Sequence, residues 1–347
     1  MNSVPEIYLD NNATTRLLPE VREAIALAMA ADFGNPSSPH HAGDKARRAI
    51  ENAREQVAAL VHVATSQIIF TSGATEANNT LIQGVANNAS SSTPAHIVSC
   101  VTEHSSVLGP LDLAAQKGAR VTLMPVDRTG GFDMTAFDRL LETRPHLVTI
   151  QCANSETGRL HPIKEIASRC NQVGVPIHTD ASQAVGKAHL SLDELGVDFA
   201  TFTAHKIHGP SGTGALYARD PKRVAALIHG GQQEGGLRAG TQNVLGIIGF
   251  GVAADLRSQR LDSVTARMRK HRDAFEQSLV AFHPGVSVNV STAARLPNTS
   301  NLTFRDVDGQ ALVARLEQSS VYCSQTTACI SRRPEPSYVL RAMGLSE

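Results

Sequence analysis

The stretch "TFTAHKIHGPSGTGAL" (201–216) sets Lys206 between a β-branched run and a turn rich in Gly and Pro. That is an odd place for a lysine whose only task is solubility. A lysine held at a strand end is able to form a Schiff base with an aldehyde cofactor, and the "GPSGTG" turn lets backbone approach a ligand closely. His205 beside it and Thr203 just upstream add polar groups at the same spot. The glycines make no dinucleotide fingerprint, because they open no helix and the lysine precedes them. "PIHTDASQAVGK" (176–187) sets Asp180 at another strand end, with Gln183 three residues on. An Asp paired with a protonated pyridine nitrogen is what the pyridoxal phosphate electron sink requires. "FTSGATEANN" (70–79) runs from a strand through Ser-Gly-Ala-Thr into a helix, and helix-start amides with Ser/Thr hydroxyls form a phosphate seat. "VTEHSSVLGP" (101–110) adds His104 at a further strand end, where an imidazole stacks on a cofactor ring or moves a proton. Each residue alone has a plainer reading: a surface lysine, a helix N-cap, a structural histidine. Together, a lysine, a pyridinium acid and a phosphate seat meet three distinct demands of one cofactor.

These residues need a scaffold that brings strand ends to one rim. Short β-branched runs alternate with helical patterns through the first two thirds of the chain: "QIIFTSG", "HIVSC", "RVTLMPV", "LVTIQCA", "PIHTDA", "DFATFTAH" and "GALYARD". Strands interleaved with helices of about 10–15 residues indicate βαβ units and a mainly parallel sheet covered on both faces, a three-layer α/β/α arrangement. Ligands bind such sheets where strands end and loops begin. The Gly-rich segment "GGQQEGGLRAGTQN" (230–243), holding Arg238 and Thr241, is too glycine-rich for a helix or strand. It is suited to close approach to a ligand or a partner subunit. After about residue 255 a long charged helix, "DSVTARMRKHRDAFEQSLVAF", gives way to "VSVNV", "NTSNLTF" and "GQALVARLEQ", a smaller α/β region. The expected division is a large cofactor-binding domain over 15–258 and a small domain over 1–14 and 259–347.

At 347 residues, with 41% hydrophobic and 18% charged residues, the chain has the composition of a soluble globular protein. Lys+Arg and Asp+Glu balance at 32 each, so nothing favours nucleic acid or an anionic membrane as a bulk partner. The start, "MNSVPEIYLD", lacks the pattern of a signal peptide, and no stretch has the apolar length of a membrane span. A cytoplasmic protein is the expectation. The five cysteines form no CxxC pair, which fits reduced thiols better than a disulfide framework or a metal site. Cys100, Cys152 and Cys170 lie in apolar patterns and read as buried, inert thiols. Cys323 and Cys329 have polar neighbours, and Cys329 lies in "SQTTACISRRPEPSYVL" (324–340) with Arg332 and Arg333 close by.

"YLDNNATT", "FGNPSSPHHAG", "FTSGATEANN", "TEHSSV", "HTDASQAVGK", "TAHKIHGPSGTGALY", "GLRAGTQN" and "TACISRRPEPSYVLRAMG" together resemble the ordered motifs of the cysteine desulfurases. These are class V members of the aspartate aminotransferase fold (fold type I), and they use pyridoxal 5'-phosphate. The resemblance runs from about residue 7 to the end. It implies that Lys206 carries the cofactor as an aldimine, that Asp180 pairs with the pyridine nitrogen, and that His104 stacks on the ring and shuttles protons. It further implies that Gln183 and the residue at Ser155 face the phenolic oxygen. Thr75, with Glu76 beside it, Thr203 and His205 would take the phosphate, and Thr241 would reach across from the other subunit of a homodimer. Cys329 aligns with the nucleophile that takes sulfur from L-cysteine, leaving L-alanine and a persulfide for an acceptor protein. A cysteine with that task belongs on a segment able to move, and Arg332 and Arg333 are expected to raise its thiolate fraction modestly.

Three positions depart from the family pattern. Thr326-Thr327-Ala328-Cys329 stands where Gly-Ser-Ala-Cys is usual, and Ser155 stands where a second Asn is usual. The arginine that pairs with the substrate carboxylate in the family lies beyond Glu347, the last residue given. Other readings of the same motifs are another class V enzyme (selenocysteine lyase, transaminase or β-eliminating lyase) or a weakly active sulfur-relay subunit. Iron–sulfur cluster assembly, tRNA thiolation, cofactor synthesis and DNA phosphorothioation would draw on the same site. No metal is expected in it.

Overall fold

The computed structural model describes residues 5–31, 34–88, 94–325 and 337–345. Cys329, with Thr326, Thr327, Ala328, Arg332 and Arg333, lies outside the described residues. Eleven strands are described: β1 Ile7–Tyr8, β2 Ile68–Thr71, β3 His96–Cys100, β4 Arg120–Met124, β5 Leu147–Thr149, β6 Ile177–Asp180, β7 Phe199–Thr203, β8 Gly214–Ala218, β9 Val286–Val288, β10 Leu302–Phe304 and β11 Val321–Tyr322. Seven of them form one sheet in the order β2-β8-β7-β6-β5-β3-β4. β4, β3, β5, β6 and β7 pair in parallel, and β8 runs antiparallel to both of its neighbours, β7 and β2. β2 therefore points the same way as β7. The carboxyl ends of β2, β3, β6 and β7 share one rim, as the sequence pattern requires.

The central strands are buried on both faces, and their near-continuous apolar runs reflect that. The core on one face holds Phe70, Phe202 and Phe250, whose rings meet edge-on with centroids 6.3 and 6.1 Å apart. The other face is closed by Ile82, Leu111, Phe199 and Leu216. A third, smaller cluster of Val290, Val339 and Met343 lies in the C-terminal region.

The helix Val244–Phe282 runs 39 residues without a break. It begins about 18 residues earlier than the charged pattern indicates, and the expected boundary at 258/259 falls inside it. Its first turns are "VLGIIGFG", a composition that argues against helix. The glycines are there for contact. A Cβ at Gly251 would meet Ala53 Cα at 2.6 Å, and one at Gly249 would meet Ile25 at 2.8 Å. Packing against the helices Pro19–Ala31 and His41–Leu60 thus outweighs the propensity cost of about 1 kcal/mol per glycine.

The Gly-rich segment 230–243 is held down by an ion pair. Glu234 accepts from Arg54 through both carboxylate oxygens, at 2.7 and 2.9 Å, and also from the Phe70 amide at 2.9 Å. The Arg54 guanidinium lies over the Phe70 ring, and the Glu234 side chain is 1% exposed. Glu234→Ala leaves the buried Arg54 without its buried carboxylate partner, with the exposed Glu51 and the Ile68 carbonyl remaining. The expected loss is about 3–5 kcal/mol, read as a lower denaturant midpoint, and a change below 1 kcal/mol would refute this anchoring role.

Candidate active site

Every residue named above from a described strand end reaches the shared rim. Lys206 follows β7 and is half-buried, with its Nζ donating to the carbonyl oxygens of Asn12 and Ala13. Asp180 ends β6 and is buried. Its Oδ1 accepts from the Ser182 amide at 2.9 Å and its Oδ2 from Asn78 Nδ2 at 3.1 Å. His104 follows β3 and caps the helix Ser105–Gln116, with its Nδ1 accepting from the Ser106 amide at 3.1 Å. Thr75 lies in the first turn of the helix Ala74–Asn88 after β2 and is exposed. Gly73, just before it, has nothing within 4 Å of a would-be Cβ, so the approach to this helix start is open.

The remaining expected residues are distributed as follows. Thr203 Oγ1 donates to the Thr213 carbonyl at 3.0 Å, and His205 Nδ1 lies 3.1 Å from Thr14 Oγ1. Burial, and then the neighbouring Lys206 and Lys187 charges, push His205 down to about 4, which keeps its imidazole neutral. Glu76 is committed to Arg238, at 2.9 and 3.3 Å, and to the Ser72 amide at 2.9 Å. It ties the Gly-rich segment to the helix Ala74–Asn88. Thr241 is exposed on that segment. Ser155 contributes its carbonyl to Asn12 Nδ2 at 3.0 Å. Asn154 Oδ1 accepts from the Glu156 and Thr157 amides, and its Nδ2 donates to the Thr102 carbonyl at 3.1 Å.

Sequence reasoning gave no role to Asn12 or Lys187. The Asn12 carbonyl receives both Lys206 Nζ and Gln183 Nε2, the latter at 2.9 Å, while its side chain bonds Ser155, Thr299 and Asn298. Lys187 is buried and donates to Gln183 Oε1 at 2.7 Å. The Asn12 carbonyl only accepts, so the Gln183 amide is turned with Nε2 toward Asn12 and Oε1 toward Lys187. Burial, then Lys206 and Arg257, push Lys187 down to about 7. Both residues lie in quoted motifs, "YLDNNATT" and "HTDASQAVGK". Their partners become visible only when the N-terminal segment crosses the rim.

The thiols separate clearly. Burial pushes Cys100 up to about 11 and Cys152 and Cys170 up to about 12, in keeping with inert thiols. Cys323 is half-buried, and burial, with the nearby Asp10 charge, raises it as well. Among the described residues none of the four is an activated thiolate.

His161 stacks on Phe132 with ring centroids 5.8 Å apart and lines an open groove of about 990 Å³. Among the described residues neither ring nitrogen has a hydrogen-bond partner, and burial, then Arg159, push His161 from 6.5 down to about 4. As pH falls through that window the unfolded chain takes up a proton that the folded chain refuses. Stability is lost on acidification, by at most about 3 kcal/mol. His161→Phe is expected to raise the melting temperature at pH 5 and to flatten its decline between pH 7 and 5. Some decline persists, because His178 and His205 are also held near 4 and act with the same sign. An equal decline in both proteins would contradict this assignment.

The rim offers an amine, a carboxylate fixed by two donors, an imidazole held by a helix cap and an open helix start. That set fits the amine-reactive carbon, ring nitrogen, ring face and phosphate of pyridoxal 5'-phosphate. The class-V aminotransferase family model matches residues 7–345. The chain is 42% identical over 339 residues to a cysteine desulfurase of Trichormus azollae, spanning 98% of this chain and 84% of that protein. A solved structure of a NifS-like protein superposes with a TM-score of 0.92 at 34% identity, covering 99% of this chain and 91% of the other. One described as SspA in complex with cysteine superposes with a TM-score of 0.86 at 31% identity, covering 98% and 95%. The chain belongs to the class-V aminotransferase family, among its cysteine desulfurases.

Proposed function

We propose that this protein is a pyridoxal phosphate-dependent cysteine desulfurase that converts L-cysteine to L-alanine and passes the sulfur, as a persulfide on Cys329, to an acceptor protein. The observation that carries this reading is the meeting of Lys206, Asp180 and His104 on one rim in a chain of this family. The bound cofactor supplies an electron sink conjugated with the substrate amine. The chain's own residues do the rest. Lys206 holds the reacting carbon and, once released, its amine is placed to move a proton at the substrate Cα. Asp180, held by Ser182 and Asn78, keeps negative charge at the ring nitrogen. His104 stacks on the ring and moves protons, and Gln183, oriented by Asn12 and Lys187, donates its amide to the phenolic oxygen. Thr75, Thr203 and His205 take the phosphate, and Thr241 of a second copy completes that seat in a homodimer. The Cys329 thiolate bonds to the substrate sulfur as the carbon–sulfur bond breaks, and the carbon skeleton takes up a proton to become alanine. Among the described residues no helix is long and apolar enough to cross a membrane.

The test is product analysis with L-cysteine, L-selenocysteine and an alanine plus keto-acid pair. Alanine formed from L-cysteine in step with sulfur delivered to a thiol acceptor is expected. Pyruvate and ammonia in place of alanine, or turnover of the keto-acid pair alone, would sink the reading.

A further inference from the structure

The hydrogen bonds beneath His104 form a continuous chain whose directions are all determined. Asp180, as a carboxylate, only accepts, so Asn78 presents Nδ2 to it at 3.1 Å. Asn78 is fully buried, and its second Nδ2 hydrogen goes to Ser106 Oγ at 2.9 Å. Its Oδ1 must then accept, and it does so from Thr201 Oγ1 at 2.7 Å. Thr201 Oγ1 in turn lies 3.3 Å from His178 Nε2, and His178 Nδ1 lies 2.8 Å from Thr149 Oγ1. Because Ser106 Oγ already accepts from Asn78, its own proton is free for His104 Nδ1, 2.8 Å away. The Ser106 backbone amide donates to the same nitrogen at 3.1 Å. Two donors converge on His104 Nδ1.

We infer that Asn78 and Ser106 are positioning residues that lock His104 in the tautomer with Nδ1 bare and the proton on Nε2. The Asp180 carboxylate dictates the sense of the whole chain through the Asn78 amide. The group expected to hold the ring nitrogen and the group expected to move protons are thereby joined through two buried side chains. His104 enters the reaction as a donor at Nε2 and acts as a base only after giving that proton up. The alternative tautomer would put a proton on Nδ1 facing the Ser106 amide hydrogen and would force the Ser106 hydroxyl to turn away. A serine at 106 supplies a hydroxyl donor that an alanine there would lack. This inference rests on the proposed roles of His104 and Asp180, yet the tautomer is measured independently of the substrate.

The experiment is nitrogen-15 NMR of holoenzyme labelled only in histidine, with the His104 signals assigned among the 14 histidines by their loss in His104→Gln. The wild type is expected to show a bare Nδ1 and a protonated Nε2. Ser106→Ala is expected to mix the two tautomers and to lower kcat about tenfold, with KM within about twofold. Ser106→Thr, which keeps the hydroxyl, restores both readouts, and Asn78→Ala reproduces the tautomer mixing. A protonated Nδ1 in the wild type, or an unchanged tautomer balance in Ser106→Ala, overturns the assignment. Because these signals do not depend on turnover, a wrong substrate assignment leaves them as described.

Discussion

Lys206→Ala is expected to lower L-cysteine turnover by on the order of a thousandfold or more and to leave the fold intact. The side chain follows β7 into a half-buried position, and its Nζ donates to two backbone carbonyls, of Asn12 and Ala13. Those carbonyls border the cleft, where water replaces the lost donor. The stability cost is therefore about 1 kcal/mol, far below the catalytic loss. Bound cofactor should remain, held by Asp180, His104 and the phosphate seat, but without a covalent link to protein. The check is denaturing gel filtration after borohydride reduction, with turnover measured in parallel. Cofactor that stays attached to the chain in Lys206→Ala would refute the assignment.

Cys329→Ala is expected to reduce sulfur delivery to a thiol acceptor about a hundredfold or more, and cofactor binding should be unchanged. The thiols of Cys100, Cys152 and Cys170 are buried and raised to about 11 or 12, so none of them substitutes. Cys323 is six residues away in the chain, but burial and Asp10 raise it too, and a neutral thiol is a poor nucleophile. Full activity in Cys329→Ala would move the role to Cys323, a result that Cys323→Ala would confirm or exclude.

The parts of this architecture that rest on local pattern were legible in the sequence. Each β-branched run followed by a helical pattern marked a strand, and the chemistry-bearing residues at the run ends did reach one rim. The antiparallel direction of β8 was not legible, because a short apolar run reads alike in either direction. The early start of the helix Val244–Phe282 was hidden by Gly246, Gly249 and Gly251, which are there for contacts with residues far away in sequence. The site divides in the same way. Lys206, Asp180 and His104 stood out because their chemistry is unusual at strand ends. Asn12, Asn78, Ser106 and Lys187 did not, because their roles come from hydrogen-bond partners as far as 194 residues away, such as Lys206 on Asn12. The Gly-rich segment was read as a close approach, but the ion pairs that seat it, Arg54 with Glu234 and Arg238 with Glu76, depend on tertiary packing.

The most direct measurement is mass spectrometry of proteolytic peptides after the holoenzyme is treated with L-cysteine in the absence of an acceptor and trapped with an alkylating agent. One additional sulfur atom on the peptide holding Cys329, formed together with alanine and lost when a thiol acceptor is added, is the predicted result. Alanine formed with no extra sulfur on Cys329, or sulfur carried only by Cys323, would contradict it.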